Sequence, residues 1–336
     1  MSEKAAFVTG VAGFIGRHVA DALLRNEYRV VGIDNLSCGE IENVPKGVEF
    51  VRADCSRIDD YVDKVLVNSI FFHCAAIAGE GYSVVSPRKV ISNNVVGTVS
   101  VIEVAIKRSA KSFVFTSSMA RYGKNEIPFT EDMEPKPVDP YGSAKVMEEQ
   151  IVEQMCELHN IKYNIVIPHN VVGTYQKYND PFRNVIAMTI NSILLGRQPI
   201  IYGDGCQTRC YTNIKDIVDL ILLLGIDDKY SHQKINMGPD DEIITINELM
   251  RIIIEKMKSE IKPRYCQWRP LEIKHAICSS EYARSLLNYQ PRISLDLTLN
   301  EVIEDIKLRG KREFVYHLPL EILADSTPIT WVERLF

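Results

Sequence analysis

Ala5-Ala6-Phe7-Val8-Thr9-Gly10-Val11-Ala12-Gly13-Phe14-Ile15-Gly16 is an apolar run that breaks into three spaced glycines, with an amphipathic stretch from His18 to Arg25 behind it. In order, this reads as strand, glycine loop, helix. Gly10 permits the tight turn, Gly13 lets the backbone approach a pyrophosphate, and Gly16 allows close packing of a helix whose first amides face the anion. A second apolar strand, Tyr28 to Ile33, ends at Asp34, the spacing at which an acid takes the adenosine ribose hydroxyls of a dinucleotide. An acid there disfavours a 2′-phosphate, so NAD is the expected cofactor rather than NADP.

Outward from this unit, apolar runs alternate with amphipathic ones: Val48 to Val51, Ser69 to His73, a helix around Val95 to Lys107, Phe113 to Phe115, a helix from Tyr141 to His159, then Tyr163 to Pro168. That alternation predicts an α/β fold, a Rossmann-type doubly wound parallel sheet, over residues 1–173. After Gly173 the pattern loosens around Pro181, Pro199, Gly203, Gly205, Pro239, Pro263 and Pro270, with helical periodicity at Val185 to Leu195, Ile214 to Leu224 and Ile246 to Lys258. Residues 174–308 are expected to form mainly a smaller mixed α/β substrate-binding lobe, the chain passing back and forth between lobes. The extension 309–336 carries Phe314, Tyr316, Leu318 and Trp331, a composition suited to packing as a cover or a subunit contact rather than as a substrate lid.

Tyr141 and Lys145 stand four residues apart, a spacing that stacks both on one face of a helix. An ammonium beside a phenol favours the phenolate, so, reinforced by a cationic cofactor ring, a group that titrates near pH ~10 is expected to come within range of general-base work. Such a pair alone is an ordinary helix surface contact. Here the glycine loop accompanies it, as does Phe113-Val114-Phe115-Thr116-Ser117-Ser118, a strand that ends in hydroxyls where a parallel sheet opens its ligand crevice. Ser118 is thus a candidate to hold a substrate hydroxyl that Tyr141 deprotonates; the plainer role is a strand-end cap.

Composition is consistent with an ordinary globular protein: 336 residues, 46% hydrophobic, 25% charged. A net charge of −5 and a pI near 5.9 argue against nucleic acid or an anionic membrane as partner. Eight cysteines include no CxxC pair, and Cys206 and Cys210 flank a loop without a second ligand pair, so reduced structural thiols and no metal are expected. The N-terminus has no signal-peptide pattern, and the apolar stretch Ile217 to Ile226 contains Asp219 and is too short to span a bilayer. A cytoplasmic protein is expected.

These motifs together resemble the extended short-chain dehydrogenase/reductases of the nucleotide-sugar epimerase/dehydratase family, UDP-sugar 4-epimerases most of all, to about residue 308. The family's glycine loop is similar to Thr9 to Gly16, its HxAA to His73-Cys74-Ala75-Ala76, and a downstream series to Ser83, Pro87, Asn94, Gly97 and Thr98. The resemblance implies Ser118, Tyr141 and Lys145 as catalytic residues. It implies cofactor contacts at Gly10, Gly13, Phe14, Ile15, Gly16, Asp34, Asn35, Asp54, Cys55, Ala75, Ala76, Asn94, Thr116, Tyr141, Lys145 and Pro168. Substrate contacts are implied at Ser83, Ser118, Asn170, Asn184, Val185, Tyr202, Arg209, Arg269 and Glu272. The helices Tyr141 to His159 and Val95 to Lys107 resemble those with which family members build a homodimer.

Reaction type turns on the residues after Ser118. Family dehydratases and decarboxylases place acids there, whereas this chain has Met119 and Ala120, neither able to move a proton. The resemblance therefore implies 4-epimerisation of a UDP-hexose, UDP-N-acetylhexosamine or UDP-hexuronate through a 4-keto intermediate. A one-way 4-dehydrogenase or 4-ketoreductase would use the same three residues, and a 4,6-dehydratase or a non-catalytic NAD-binding protein are further alternatives. Ile167, Cys210 and the pair Leu271-Glu272 depart from family motifs, and Lys177 and Arg183 are cations in position to meet a charged sugar substituent or simply solvent.

Overall fold

The computed structural model describes residues 4–336. Seven parallel strands form the central sheet: β1 (Ala5–Thr9), β2 (Arg29–Asp34), β3 (Glu49–Arg52), β4 (Ile70–His73), β5 (Ser112–Thr116), β6 (Lys162–Pro168) and β7 (Gln233–Met237), in the order β7-β6-β5-β4-β1-β2-β3. Strand order reverses between β1 and β4, the point where an open α/β sheet leaves a crevice beyond its carboxyl ends. Alternate residues feed opposite faces: Phe7, Phe71, Phe113, Phe115 and Ile165 pack into one apolar layer, Ala6, Val8, Phe72, Val114 and Val166 into the other. Both faces are covered, which explains why these strands read as continuous apolar runs rather than alternating ones.

Helix α1 (Phe14–Arg25) follows the glycine loop directly. A run of 21 residues, Pro87–Lys107, contains a π-turn at Ser92–Val96 before α2 (Gly97–Lys107). By length and apolarity it is the one helix among the described residues able to cross a membrane, whereas Ile217 to Ile226 is too short. Val90, Val101, Ile102 and Val104 of this run are buried in the core, as befits an internal helix of an α/β layer. Helix α3 (Pro140–Leu158) starts where Asp139 accepts the Gly142 amide and Pro140 fills the first turn.

The chain crosses between lobes after α4 (Val185–Leu194). Helix α5 (Ile214–Ile226) returns to pack on α1, and β7 pairs with β6, so residues well beyond 173 complete the first sheet. The second lobe packs α4 against α6 (Ile246–Lys256) and α7 (Leu295–Arg309) through Ile186, Ile190, Leu249, Ile253, Leu299 and Val302. Short strands Ile200–Tyr202 and Arg264–Cys266 pair beside it.

The tail packs back over both lobes. Trp331 is buried against Phe182 and donates its indole N–H to the Pro181 carbonyl at 3.0 Å, and Tyr82 and Ser86 each donate to the Pro319 carbonyl at 2.7 Å. Burial of its indole and these bonds tie the segment down, as its aromatic content had suggested.

Candidate active site

A cleft of about 480 Å³ runs from the glycine loop to the tail. At its first end the loop is closely wound: a methyl added to Gly16 would lie 2.2 Å from the Gly10 carbonyl oxygen, and one on Gly10, at φ +70°, 2.9 Å from Ala75 Cα. No side chain caps α1 at Gly13, so its first amides face the cleft as an anion site. At the end of β2, Asp34 accepts the amides of Ala12 (3.1 Å) and Leu36 (2.7 Å), and Asn35 donates to Asp54 at 2.7 Å. Burial pushes the Asp34 carboxyl up, while the Asp54 carboxyl is held low by its bonds from Ser56 and Asn35 in spite of burial. These residues fit a dinucleotide: a cradle that any Cβ would fill, amides for the diphosphate, acids for a ribose.

Phe14, Ile15, Cys55, Ala75, Ala76, Thr116 and Pro168 line the same wall. Asn94 does not. It is buried, its side chain bonded to both the amide and the carbonyl of Ile77 at 2.8 and 3.2 Å, so it shapes the turn after β4 from within the π-turn while its neighbour Asn93 lines the cleft.

Tyr141, Lys145 and Ser118 meet midway along the cleft. Tyr141 sits in the first turn of α3, and Lys145, one turn on, donates to the Thr116 carbonyl at 3.1 Å and pairs with Glu148 at 3.0 Å. Burial pushes the Tyr141 phenol up from its ordinary value, against which Lys145 and then the Ser118 hydroxyl pull down. Lys145 acts in the direction that the Tyr/Lys spacing predicts, against a larger opposing effect of desolvation. Lys145 loses charge preference to burial and regains it from Glu148 and Tyr141, for a net rise that keeps it cationic.

Glu148 opens a buried chain that sequence reading missed. Thr98 donates to Glu148 at 3.0 Å and stands 2.9 Å from His73 Nε2, while His73 Nδ1 is 2.6 Å from the Thr9 hydroxyl, which in turn accepts the Ala75 amide at 3.2 Å. Burial, then Lys145, pushes His73 down to about 3. A neutral imidazole with Thr98 donating onward assigns the proton to Nε2. An acid three residues after the lysine was the available signal. Beside it, Glu149 pairs with Arg121 at 3.0 Å and accepts the Ser117 hydroxyl, fixing the strand end that carries Ser118.

Beyond Tyr141 the cleft is lined by Asn170, Asn184, Val185, Tyr202, Arg209, Arg269 and Glu272. The Asn184 side chain is occupied in capping α4 through the amides of Ile186 and Ala187. Arg209 donates to the carbonyls of Thr208, Lys274 and Ile273, and Arg269 makes a two-point contact with Glu272 at 2.9 and 3.0 Å and lies over the Tyr202 ring. Ser83 lies outside the lining: it is fully buried and donates to the Glu80 carbonyl and to Asp139, the cap of α3. Its neighbour Glu80 instead reaches the cleft, its carboxyl pushed up by burial and then by Asp139. Phe336 from the tail also lines the wall, and Thr330 meets the Tyr202 hydroxyl at 2.6 Å.

The chain is similar to known proteins over most of its length. UDP-glucose 4-epimerase of Mycolicibacterium smegmatis is 32% identical over 309 residues, covering 88% of this chain and 96% of that protein. The solved structure of Thermotoga maritima UDP-glucose 4-epimerase with UDP-glucose superposes with a TM-score of 0.84 at 29% identity, over 91% of this chain and 99% of that one. UDP-N-acetylglucosamine 4-epimerase from Methanobrevibacter ruminantium, in complex with UDP-N-acetylmuramic acid, matches with a TM-score of 0.83 at 31% identity over 92% and 100%. The model of one family matches residues 6–238, from the first residues of β1 to just past β7, and the chain belongs to that family, the NAD dependent epimerase/dehydratase family.

Proposed function

We propose that this protein is an NAD-dependent epimerase that inverts carbon 4 of a UDP-linked sugar through a transient 4-keto sugar. The observation that carries the reading is the meeting of Tyr141, Lys145 and Ser118 in one cleft with a dinucleotide cradle, beside the buried Met119 and Ala120 where elimination chemistry would need acids. When bound, NAD supplies a reversible acceptor for the hydrogen and electron pair of carbon 4. Tyr141 takes the proton from the carbon 4 hydroxyl and later returns it. Ser118 holds that oxygen, and Lys145, kept charged by Glu148, stabilises the phenolate. Arg209 and Arg269 neutralise the diphosphate of the nucleotide at the far end, so that the sugar can turn while the nucleotide stays fixed.

The substrate contacts at Asn170, Asn184, Val185, Tyr202 and Glu272 belong to this same reading. Exposed Ile91, Val96 and Val99 on the run Pro87–Lys107 and Met147 on α3 form an apolar strip on two helices that pack together, which supports a two-fold homodimer. The tail acts as a fixed wall of the cleft. A cytoplasmic location and a role in carbohydrate biosynthesis go with a nucleotide-sugar substrate.

Incubation with UDP-hexoses, UDP-N-acetylhexosamines and UDP-hexuronates, followed by NMR and by NADH absorbance, tests the reading. It predicts a 4-epimer without net NADH, and a loss of about 10²- to 10⁴-fold in rate for Tyr141→Phe. Stoichiometric NADH would make the protein a one-way dehydrogenase or reductase instead.

A further inference from the structure

Three arginines line the cleft, and two of them are already engaged. Arg209, oriented by three carbonyls, and Arg269, oriented by Glu272, serve the substrate's diphosphate in the proposed function. Arg183 differs. Its nearest acid, Asp180, is 3.6 Å from Nε, beyond a good hydrogen bond, and its buried Nη2 has no partner among the described residues. Arg183 lines the same cleft as Asp34, at the end of β2, and Tyr141, in the first turn of α3. Those two residues mark the ribose end and the chemical end of a bound dinucleotide, whose diphosphate joins the two.

We infer that Arg183, braced by His317 of the C-terminal tail, is an anion subsite that holds the diphosphate of the dinucleotide from the loop 178–184, complementing the amides of the glycine loop. The inference rests on the reading of the cleft as an NAD site. His317 Nε2 lies 3.6 Å from the same Asp180 oxygen that faces Arg183, and Cys38, on the loop after Asp34, lines the cleft with Arg183. The buried Nη2 of Arg183 is left without a partner among the described residues, and a guanidinium fork suits phosphate oxygens. The tail sets this geometry: Val315 donates to the Asn179 carbonyl at 2.9 Å and Trp331 to that of Pro181 at 3.0 Å, pinning the loop on either side of Asp180. The brace comes from a part of the chain beyond residue 238, where the match to the family model ends.

Calorimetric titration of the full-length protein, freed of carried-over nucleotide, with NAD, ADP-ribose, UDP and UDP-glucuronate tests this. Arg183→Leu is expected to weaken NAD and ADP-ribose by about 10- to 100-fold, as for the loss of one charge-assisted contact, and to leave UDP and UDP-glucuronate unchanged. Arg183→Lys is expected to recover part of the loss. Unchanged NAD and ADP-ribose would overturn the inference, as would a loss confined to UDP or to UDP-glucuronate, which would move the cation to the substrate's diphosphate or to a sugar carboxylate. Should Arg183→Leu lose its cooperative melt, Arg183→Gln reads the same comparison. Failure of the unaltered protein to bind NAD would instead contradict the proposed function.

Discussion

Lys145 Nζ lies 3.0 Å from Glu148 Oε2 one turn further along α3, and the two side chains are 2% and 0% exposed. An ammonium at that depth needs a counter-charge, and Glu148 supplies it while its other oxygen receives the Thr98 hydroxyl. The hydrogen-bonded chain through Thr98, His73 and Thr9 ends on the Ala75 amide, so Lys145 and the turn after β4 that lines the cleft are fixed by one buried network.

Glu148→Gln keeps the shape and removes the charge. Because Glu148 raises the Lys145 pKa, its loss lets Lys145 deprotonate earlier, and the alkaline limb of the kcat profile should move to lower pH. We expect kcat to fall by about 10- to 100-fold with sugar KM little changed, equivalent to losing ~1.4 to 2.8 kcal/mol of transition-state stabilisation. A pH–rate profile of the variant that superposes on that of the parent would contradict this role.

Arg121 and Glu149 form a second buried pair, each 2% exposed. Removing either partner alone, as Arg121→Met or Glu149→Met, should destabilise the fold by about 3–5 kcal/mol, and the double variant should cost less than the two losses added. Urea titration of the four proteins measures this; additive losses would mean that the pair is not coupled.

His73 is held near 3 in the fold and titrates at 6.5 when unfolded. A base with a depressed folded value binds its proton preferentially in the unfolded chain, so its contribution is complete above pH 6.5 and is lost as pH falls toward about 3. The slope is at most ~1.4 kcal/mol per pH unit for this one group. Melting temperatures across that window should fall less steeply for His73→Gln than for the parent; equal slopes would show that His73 is not the titrating group.

Much of this layout could be read from residue types, and the reasons are local. The glycine loop and the apolar strands announce themselves because Gly10 and Gly16 have no substitute at their contacts and because two-sided burial keeps polar residues to the ends of β1, β4 and β5, at Thr9, His73, Ser112 and Thr116. The i, i+4 spacing of Tyr141 and Lys145 follows from helix geometry alone. What escaped depends on contacts distant in sequence. β7 joins the sheet from residue 233 onward, Ser83 turned inward to Asp139 while Glu80 took the cleft, and Asn94 gave its side chain to Ile77. Nor does a local pattern connect Trp331 with Pro181 across 150 residues. The direction of the Tyr141 shift needed burial, which sequence spacing does not convey.

The central claim is that one hydrogen leaves carbon 4 and returns to it within the cleft, with Tyr141 moving the proton. The most direct measurement is turnover of a UDP-sugar that carries deuterium at carbon 4, in ordinary water, with the product analysed by NMR. The account predicts a 4-epimer that keeps its deuterium at carbon 4, formed about 10²- to 10⁴-fold more slowly by Tyr141→Phe. Deuterium lost to solvent, or exchange of the hydrogen at carbon 5, would contradict it.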